Sequence, residues 1–156
     1  MRRSHVRSTI CSTFVGLTFA MTACGSSDTV GPVTPLPPTM QSLAATYRAM
    51  PAGGSSAKIG VLTTTTSAGV TTDELGKGAS IQLTLNSNGT TAGHITVPDG
   101  NLDADLTGTW VLTGNQVKLT QSADTFLRDI TYTATGDQLD GASNFSGTTV
   151  HVTLRR

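Results

Sequence analysis

Regular alternation of apolar and polar residues, interrupted by short turns rich in Gly and Asn, is the feature that most constrains how this 156-residue chain folds. In the segment SIQLTL (residues 80–85) every second residue is apolar, which puts one Ile and two Leu on the same face of a strand. Residues 86–89 (NSNG) have the composition of a hairpin turn, and residues 91–97 alternate again. The sequence therefore predicts an antiparallel hairpin over residues 80–97.

The same pattern continues to the C-terminus. It predicts further strands at 43–50, 58–66, 106–112, 117–119, 126–135, 139–145 and 150–154. Residues 43–50 also match a helical spacing, although we favour a strand there, and residues 67–79 have the composition of a longer loop. Eight or nine short antiparallel strands form a meander, and closure into a barrel removes its free edges. The predicted fold is therefore an all-β barrel, with a two-sheet β-sandwich as the alternative.

The N-terminal 23 residues have the composition of a secretory signal peptide. Residues 1–7 carry three arginines and no acid, and residues 8–23 carry no charge. The uncharged run is shorter than the roughly 20 apolar residues of a membrane-spanning helix, and Ser and Thr interrupt it. We therefore expect residues 1–23 to be a leader that is removed after export.

The end of this leader, Met21-Thr22-Ala23-Cys24, resembles the lipobox of bacterial lipoproteins. The resemblance implies that Cys24 receives a diacylglycerol thioether and becomes the first residue of the mature chain. Two acyl chains, at about 0.8 kcal/mol per buried CH₂, hold a protein stably on a membrane. The resemblance also implies the outer membrane, since Gly and not Asp follows the cysteine, with the domain in the periplasm or at the cell surface. The alternative is an ordinary secreted protein.

Residues 24–42 are predicted to be a linker. Prolines at 32, 35, 37 and 38 favour extended polyproline II structure, and the segment has no apolar periodicity. We expect a disordered tether between Cys24 and a barrel domain at 43–156. The alternative is an ordered strap that packs on the domain.

Charge excludes one class of partner. Loss of the three leader arginines leaves seven of the ten basic residues against ten acidic ones, a net charge of about −3. Binding of nucleic acid calls for a basic face, so we expect no nucleic-acid partner. The length suits one domain, and we expect a monomer.

The run GTWVLTGNQVKLT (108–120), which follows IQLTLNSNGT (81–90), is similar to the repeating pattern of the lipocalin-like small lipoproteins of bacteria. The resemblance implies a compact barrel and a possible small apolar ligand inside it. Candidate ligand contacts are Tyr47, Trp110 and Tyr132. For Trp110 we favour a place in the core, packed with Leu112 and Tyr132, over stacking on a ligand.

Other polar groups indicate no catalytic or metal site. Residues 99–105 place acidic residues as calcium loops do, but they lack the Gly and Glu of an EF-hand and are expected to form a solvated turn. His94 and His151 lie on strands without a carboxylate at metal-binding spacing. Asp73 and Glu74 are expected to be a hydrated surface pair. We expect no enzyme, metal or cofactor.

The sequence thus predicts a lipid-anchored binding or interaction module of the cell envelope. Its partner is the membrane, through the anchor, together with a small apolar ligand or an envelope protein. One alternative is a structural or stress-related lipoprotein without a small ligand. The other is an envelope hydrolase.

Overall fold

The structure, a computed structural model, describes residues 36–156. In this part of the chain a single four-residue helix, α1 (Met40–Leu43), precedes eleven strands. The strands are β1 Ala45–Ala49, β2 Val61–Thr66, β3 Thr71–Asp73, β4 Ser80–Leu85, β5 Thr90–Val97, β6 Leu102–Asp105, β7 Gly108–Thr113, β8 Gln116–Gln121, β9 Thr131–Thr135, β10 Gln138–Phe145 and β11 Thr148–Arg155. Three 3₁₀ helices are η1 Leu75–Lys77, η2 Pro98–Gly100 and η3 Phe126–Asp129.

Eight strands form a closed antiparallel barrel in the order β1-β4-β5-β7-β8-β9-β10-β11. The barrel closes where Arg48 of β1 pairs with Arg155 of β11. The prediction of an all-β barrel is therefore confirmed, and the sandwich alternative is wrong. Closure leaves neither β1 nor β11 as a long free edge, which is the physical advantage expected for a chain of short strands.

Three strands lie outside the eight and change the simple meander. The predicted strand 58–66 becomes β2, which pairs with β11 at the far end of the sequence, and β3 pairs with β2. The predicted loop 67–79 thus contains β3 and η1. β6 pairs with β5 beside β7.

The strand predicted at 126–135 begins only at Thr131, because η3 occupies its first residues. Leu127 and Ile130 are both buried. Their spacing of three residues matches the repeat of a 3₁₀ helix rather than the period of two of a strand.

The predicted strand at 43–50 is confirmed as β1, and α1 precedes it. Thr39 and Ser42 cap α1 through reciprocal side-chain to backbone hydrogen bonds. Leu43 is buried, and Met40 packs against the core. The end of the predicted linker is therefore helical. The predicted signal peptide, Cys24 and linker residues up to 35 lie outside the described residues.

The core fills the barrel with aliphatic side chains and three aromatic ones. The alternating residues of β4 are fully buried as predicted, and so are Val152 and Leu154 of β11. Tyr47, Trp110 and Tyr132 are the largest buried side chains. Leu112, predicted beside them, is only half-buried.

The strand directions give the barrel two different ends. At the end that we call proximal lie α1, the hairpin turns at 86–89, 114–115 and 136–137, and the C-terminal Arg156. Arg156 Nη1 donates a hydrogen bond to the Ser42 carbonyl oxygen, which fixes α1 against this end. At the opposite, distal end lie η1, η2, η3 and the turn at 146–147. In residues 36–156 no helix has the length and apolar character needed to cross a membrane.

Two strands, β5 and β11, pair with one neighbour near the proximal end and with a different one near the distal end. β5 pairs with β7 at Thr90 and Thr91 and with β6 beyond Gly93. Gly93 has a φ of 148°, and a Cβ there would overlap the carbonyl oxygen of Gln82 on β4. β11 likewise pairs mainly with β2 rather than β1 towards this end. The extra strands β2 and β6 therefore widen the wall at the distal end.

Candidate functional site

A cavity of about 380 Å³ opens at the distal end, which is within the size range of small-molecule sites. Its wall is mostly aliphatic or aromatic, with a few polar groups on one side. The lining residues are Leu62, Thr64, Glu74, Val97, Asp99, Gly100, Leu102, Phe126 and Val150. This cavity therefore lies at the end of the barrel opposite α1 and the C-terminal Arg156.

Strand pairing builds two sides of this cavity. Thr64 of β2 lies directly opposite Val150 of β11, and Leu62 lies two residues away on the same face of β2. On the other side Val97 of β5 pairs with Leu102 of β6. The two extra strands, β2 and β6, therefore supply lining residues that an eight-stranded wall alone would not place there.

Glu74 is the buried charged group of the cavity. Its side chain is only 10% exposed, and its carboxylate Oε1 accepts a hydrogen bond of 2.6 Å from the Thr64 hydroxyl. Its backbone N–H donates to the Leu62 carbonyl oxygen, and its own carbonyl accepts from the N–H groups of Lys77 and Ala79. These bonds hold the residue between β2 and η1, so its carboxylate lines the cavity.

The prediction that Asp73 and Glu74 form a hydrated pair is wrong for Glu74. The next residue, Leu75, is fully buried and brings the segment onto the barrel. Asp73 does remain exposed, and Lys58 Nζ lies 2.9 Å from its carboxylate. The hydrogen bond from Lys58 lowers the pKa of Asp73.

Lys77 does not line the cavity but lies beside two carboxylates that do, Glu74 and Asp99. Its ammonium lies 2.8 Å from Asp99 Oδ2 and 3.8 Å from Glu74 Oε2. The hydrogen bond to Asp99 raises the pKa of Lys77, so the ammonium stays charged at neutral pH. We call Thr64, Glu74, Lys77 and Asp99 the polar corner.

The three aromatic residues predicted to contact a ligand lie in the core, and none of them lines this cavity. Each uses its polar atom within the fold. Trp110 Nε1 donates to the Asn86 carbonyl at 2.9 Å, Tyr47 Oη donates to the Leu43 carbonyl, and Tyr132 Oη donates to the Leu127 carbonyl. The aromatic lining residue is instead Phe126, the first residue of the strand predicted at 126–135.

The histidines have carboxylate neighbours that the sequence analysis did not find. His94 lies between two aspartates of β6, with Nδ1 3.1 Å from Asp105 and Nε2 2.9 Å from Asp103. The hydrogen bond to Asp105, followed by the charge of Asp103, raises the pKa of His94. The predicted acidic turn is thus partly a strand, because β6 pairs residue by residue with β5.

His151 Nε2 lies 3.0 Å from Asp140 on the neighbouring strand β10. Within residues 36–156, no three His, Cys, Asp or Glu side chains are arranged to hold a metal ion.

A second cavity, of about 410 Å³, lies at the proximal end. Part of its wall is the segment 36–38, which leads into α1, and Arg156 forms another part. Leu36 in this segment is 91% exposed. Since no buried charge lines this cavity, the distal one offers the more specific chemistry.

Comparisons of the chain with models of protein families, with curated proteins and with solved structures found no match. The fold and the distal cavity by themselves define the class: an antiparallel eight-stranded barrel with an aliphatic and aromatic core and a largely apolar cavity at its distal end.

Proposed function

We propose that this protein is a lipid-anchored binding module of the cell envelope that holds a small apolar molecule in its distal cavity. The observation that carries the proposal is the cavity of about 380 Å³ with its largely apolar wall. Small-molecule sites typically combine such a wall with a few placed polar groups. The module acts by binding and not by catalysis.

The position of the cavity suits a tethered protein. Residues 36–43 lie at the proximal end, whereas the cavity opens at the distal end. A chain anchored through Cys24 would therefore enter the domain opposite the cavity mouth, which leaves the mouth accessible from the aqueous side. The outer membrane, with the domain in the periplasm or at the cell surface, is the proposed location.

Fluorescence of the uncharged probe N-phenyl-1-naphthylamine tests the binding role. The full chain is used as the Cys24→Ala variant, so that acyl chains and detergent do not compete for the probe. We expect the probe to bind with enhanced emission and a dissociation constant on the order of micromolar, since association costs offset much of the apolar gain.

A matched pair of substitutions locates the bound probe. Val150→Trp fills the cavity and should abolish probe binding, whereas Val111→Trp adds the same ring at an exposed position of β7 and should not. If the probe fails to bind, or if both substitutions have the same effect, the cavity is not a ligand site. The structural lipoprotein without a ligand then becomes the better account.

Metabolic labelling with palmitate tests the anchor. The chain has two cysteines, so Cys11→Ala is the control for Cys24→Ala. We expect label on the unchanged chain and on Cys11→Ala and none on Cys24→Ala. Unlabelled protein in the soluble fraction would contradict the lipid anchor while leaving the binding role open.

A further inference from the structure

We infer that the ligand of the distal cavity carries a protonated amine on an apolar body, and that Glu74 accepts its hydrogen bond. This inference rests on the proposed binding function and names the chemical class of the ligand. It comes from the one buried carboxylate among the residues that line a largely apolar wall.

The hydrogen bonds of Glu74, which lines the cavity, leave acceptor capacity on its carboxylate. The Thr64 hydroxyl occupies one position on Oε1. The nearest cation to Oε2 is Lys77, and its separation of 3.8 Å is too long for a hydrogen bond. An ionised carboxylate offers about four acceptor positions, so Oε2 can accept from a donor on the ligand. A donor that is itself charged forms the stronger bond.

The charge balance of the polar corner favours a cation over an anion. Glu74 and Asp99 supply two carboxylates, and Lys77 supplies one ammonium. Lys77 is already engaged with Asp99 at 2.8 Å, and the residues that line the cavity include no cation. A carboxylate ligand would therefore face an excess negative charge, whereas an ammonium ligand would neutralise it.

The rest of the wall determines the body of the ligand. Leu62, Val97, Phe126 and Val150 present hydrocarbon to the cavity, and none of them offers a side-chain hydrogen bond. A ligand with a compact alkyl or aryl body can pack against this wall, and its single polar group then lies at the polar corner. A primary amine on a short alkyl chain is the simplest probe with this distribution.

Displacement of N-phenyl-1-naphthylamine by three molecules with the same octyl chain tests the inference at neutral pH. The molecules are octylamine, octanol and octanoate. We expect octylamine to displace the probe at a concentration about tenfold lower than octanol, as for a charge-assisted hydrogen bond, and octanoate to be the weakest.

Substitution at Glu74 identifies the acceptor. Glu74→Gln keeps the size of the side chain. It should raise the concentration of octylamine needed to displace the probe to nearly that of octanol, while the concentration of octanol needed stays the same. The control Asp137→Asn makes the same charge change on the proximal turn and should leave the order intact. Asp99→Asn provides a second variant at an exposed position. It frees Lys77 to pair with Glu74, so octylamine should weaken and octanoate should strengthen.

The outcomes separate the inference from the proposed function. If the probe binds but the three octyl compounds displace it equally, or if Glu74→Gln folds and keeps the preference for the amine, the ligand class is overturned and the binding function stands. If the probe does not bind at all, both are overturned.

Discussion

Lys77 of η1 and Asp99 of η2 form an ion pair of 2.8 Å that joins two 3₁₀ helices beside the distal cavity. Their side chains are 44% and 59% exposed. Ion pairs of such exposure contribute little to the stability of a fold, because water solvates both charges when they separate. The effect of this pair is therefore expected on the charge of the cavity and not on the stability of the barrel.

Replacement of Lys77 by Gln separates these two effects. The change leaves the carboxylates of Glu74 and Asp99 without their neighbouring ammonium, so the affinity for octylamine should rise several-fold while the melting temperature changes little. The gain should shrink as salt is added, because salt screens exposed charges. Displacement titrations at two ionic strengths, together with thermal unfolding, measure both effects.

Lys118→Gln on the outer side of β8 is the control, and it should change neither quantity. A fall in octylamine affinity on loss of Lys77 would show that the lysine holds Glu74 in its binding position, contrary to this expectation.

The aromatic core and the cavity should respond differently to substitution. Trp110 is 2% exposed and donates its indole N–H within the fold. Trp110→Phe should therefore lower the free energy of unfolding by about 1–3 kcal/mol, through a smaller ring and a lost hydrogen bond, without changing probe binding. Phe126 lines the cavity and is half-buried, so Phe126→Ala should weaken probe binding at a smaller cost in stability.

Denaturant unfolding and probe titration on both variants check this pair of expectations. Loss of probe binding in Trp110→Phe at unchanged stability would instead indicate that the ligand contacts the aromatic residues predicted from the sequence.

Much of the barrel follows from local pattern. In β4 each apolar residue is inward and each polar one outward or half-buried, so the period of two predicts both the strand and its buried face. The turn at 86–89 and the returning strand β5 follow for the same reason. Closure was also foreseeable, because a long run of short strands leaves edges that a barrel removes.

The local alternation of apolar and polar residues does not indicate which strands pair when they are far apart in the sequence. β2 contains four consecutive threonines, which have no apolar alternation to indicate a face, and its partner β11 lies at the other end of the chain. The cavity depends on that pairing, since Thr64 meets Val150 only across it. The burial of Glu74 likewise depends on where Leu75 inserts, and an acidic pair in a Gly-containing loop carries no local sign of that.

The junction of β1, β2 and β11 should be intolerant of a side chain at Gly60. This residue has a φ of 70°, and a Cβ there would overlap the carbonyl oxygen of Thr153 and crowd that of Arg48. Gly69, with a φ of 79°, has open space around an added Cβ, so Gly69→Ala measures the cost of the left-handed backbone alone. We expect Gly69→Ala to cost about 1–2 kcal/mol and Gly60→Ala at least about 3 kcal/mol.

Equilibrium unfolding in urea measures the two costs on the same scale. Equal costs would show that the junction relaxes around an added methyl group, and that only the left-handed backbone of Gly60 matters.

The two tyrosines of the chain, Tyr47 and Tyr132, predict how the fold responds to alkaline pH. Both side chains are fully buried, and burial raises the pKa of each phenol above its ordinary value of 10.0. For Tyr47 the nearby Arg156 guanidinium opposes part of this rise in pKa. The folded state therefore holds these protons at a pH where the unfolded state releases them. Stability should be at its full value below pH 10 and should fall as the pH rises further.

Ultraviolet absorbance of phenolate, recorded beside circular dichroism, checks this sign. In the folded protein no phenolate signal should appear before the strand signal is lost, so the two transitions should coincide. In concentrated urea the same protein should titrate near the ordinary pKa of tyrosine, and Tyr47→Phe should halve the amplitude while the remaining signal still follows unfolding. Phenolate that forms near pH 10 with the circular dichroism intact would mean that water reaches the phenols in the folded protein, contrary to their burial.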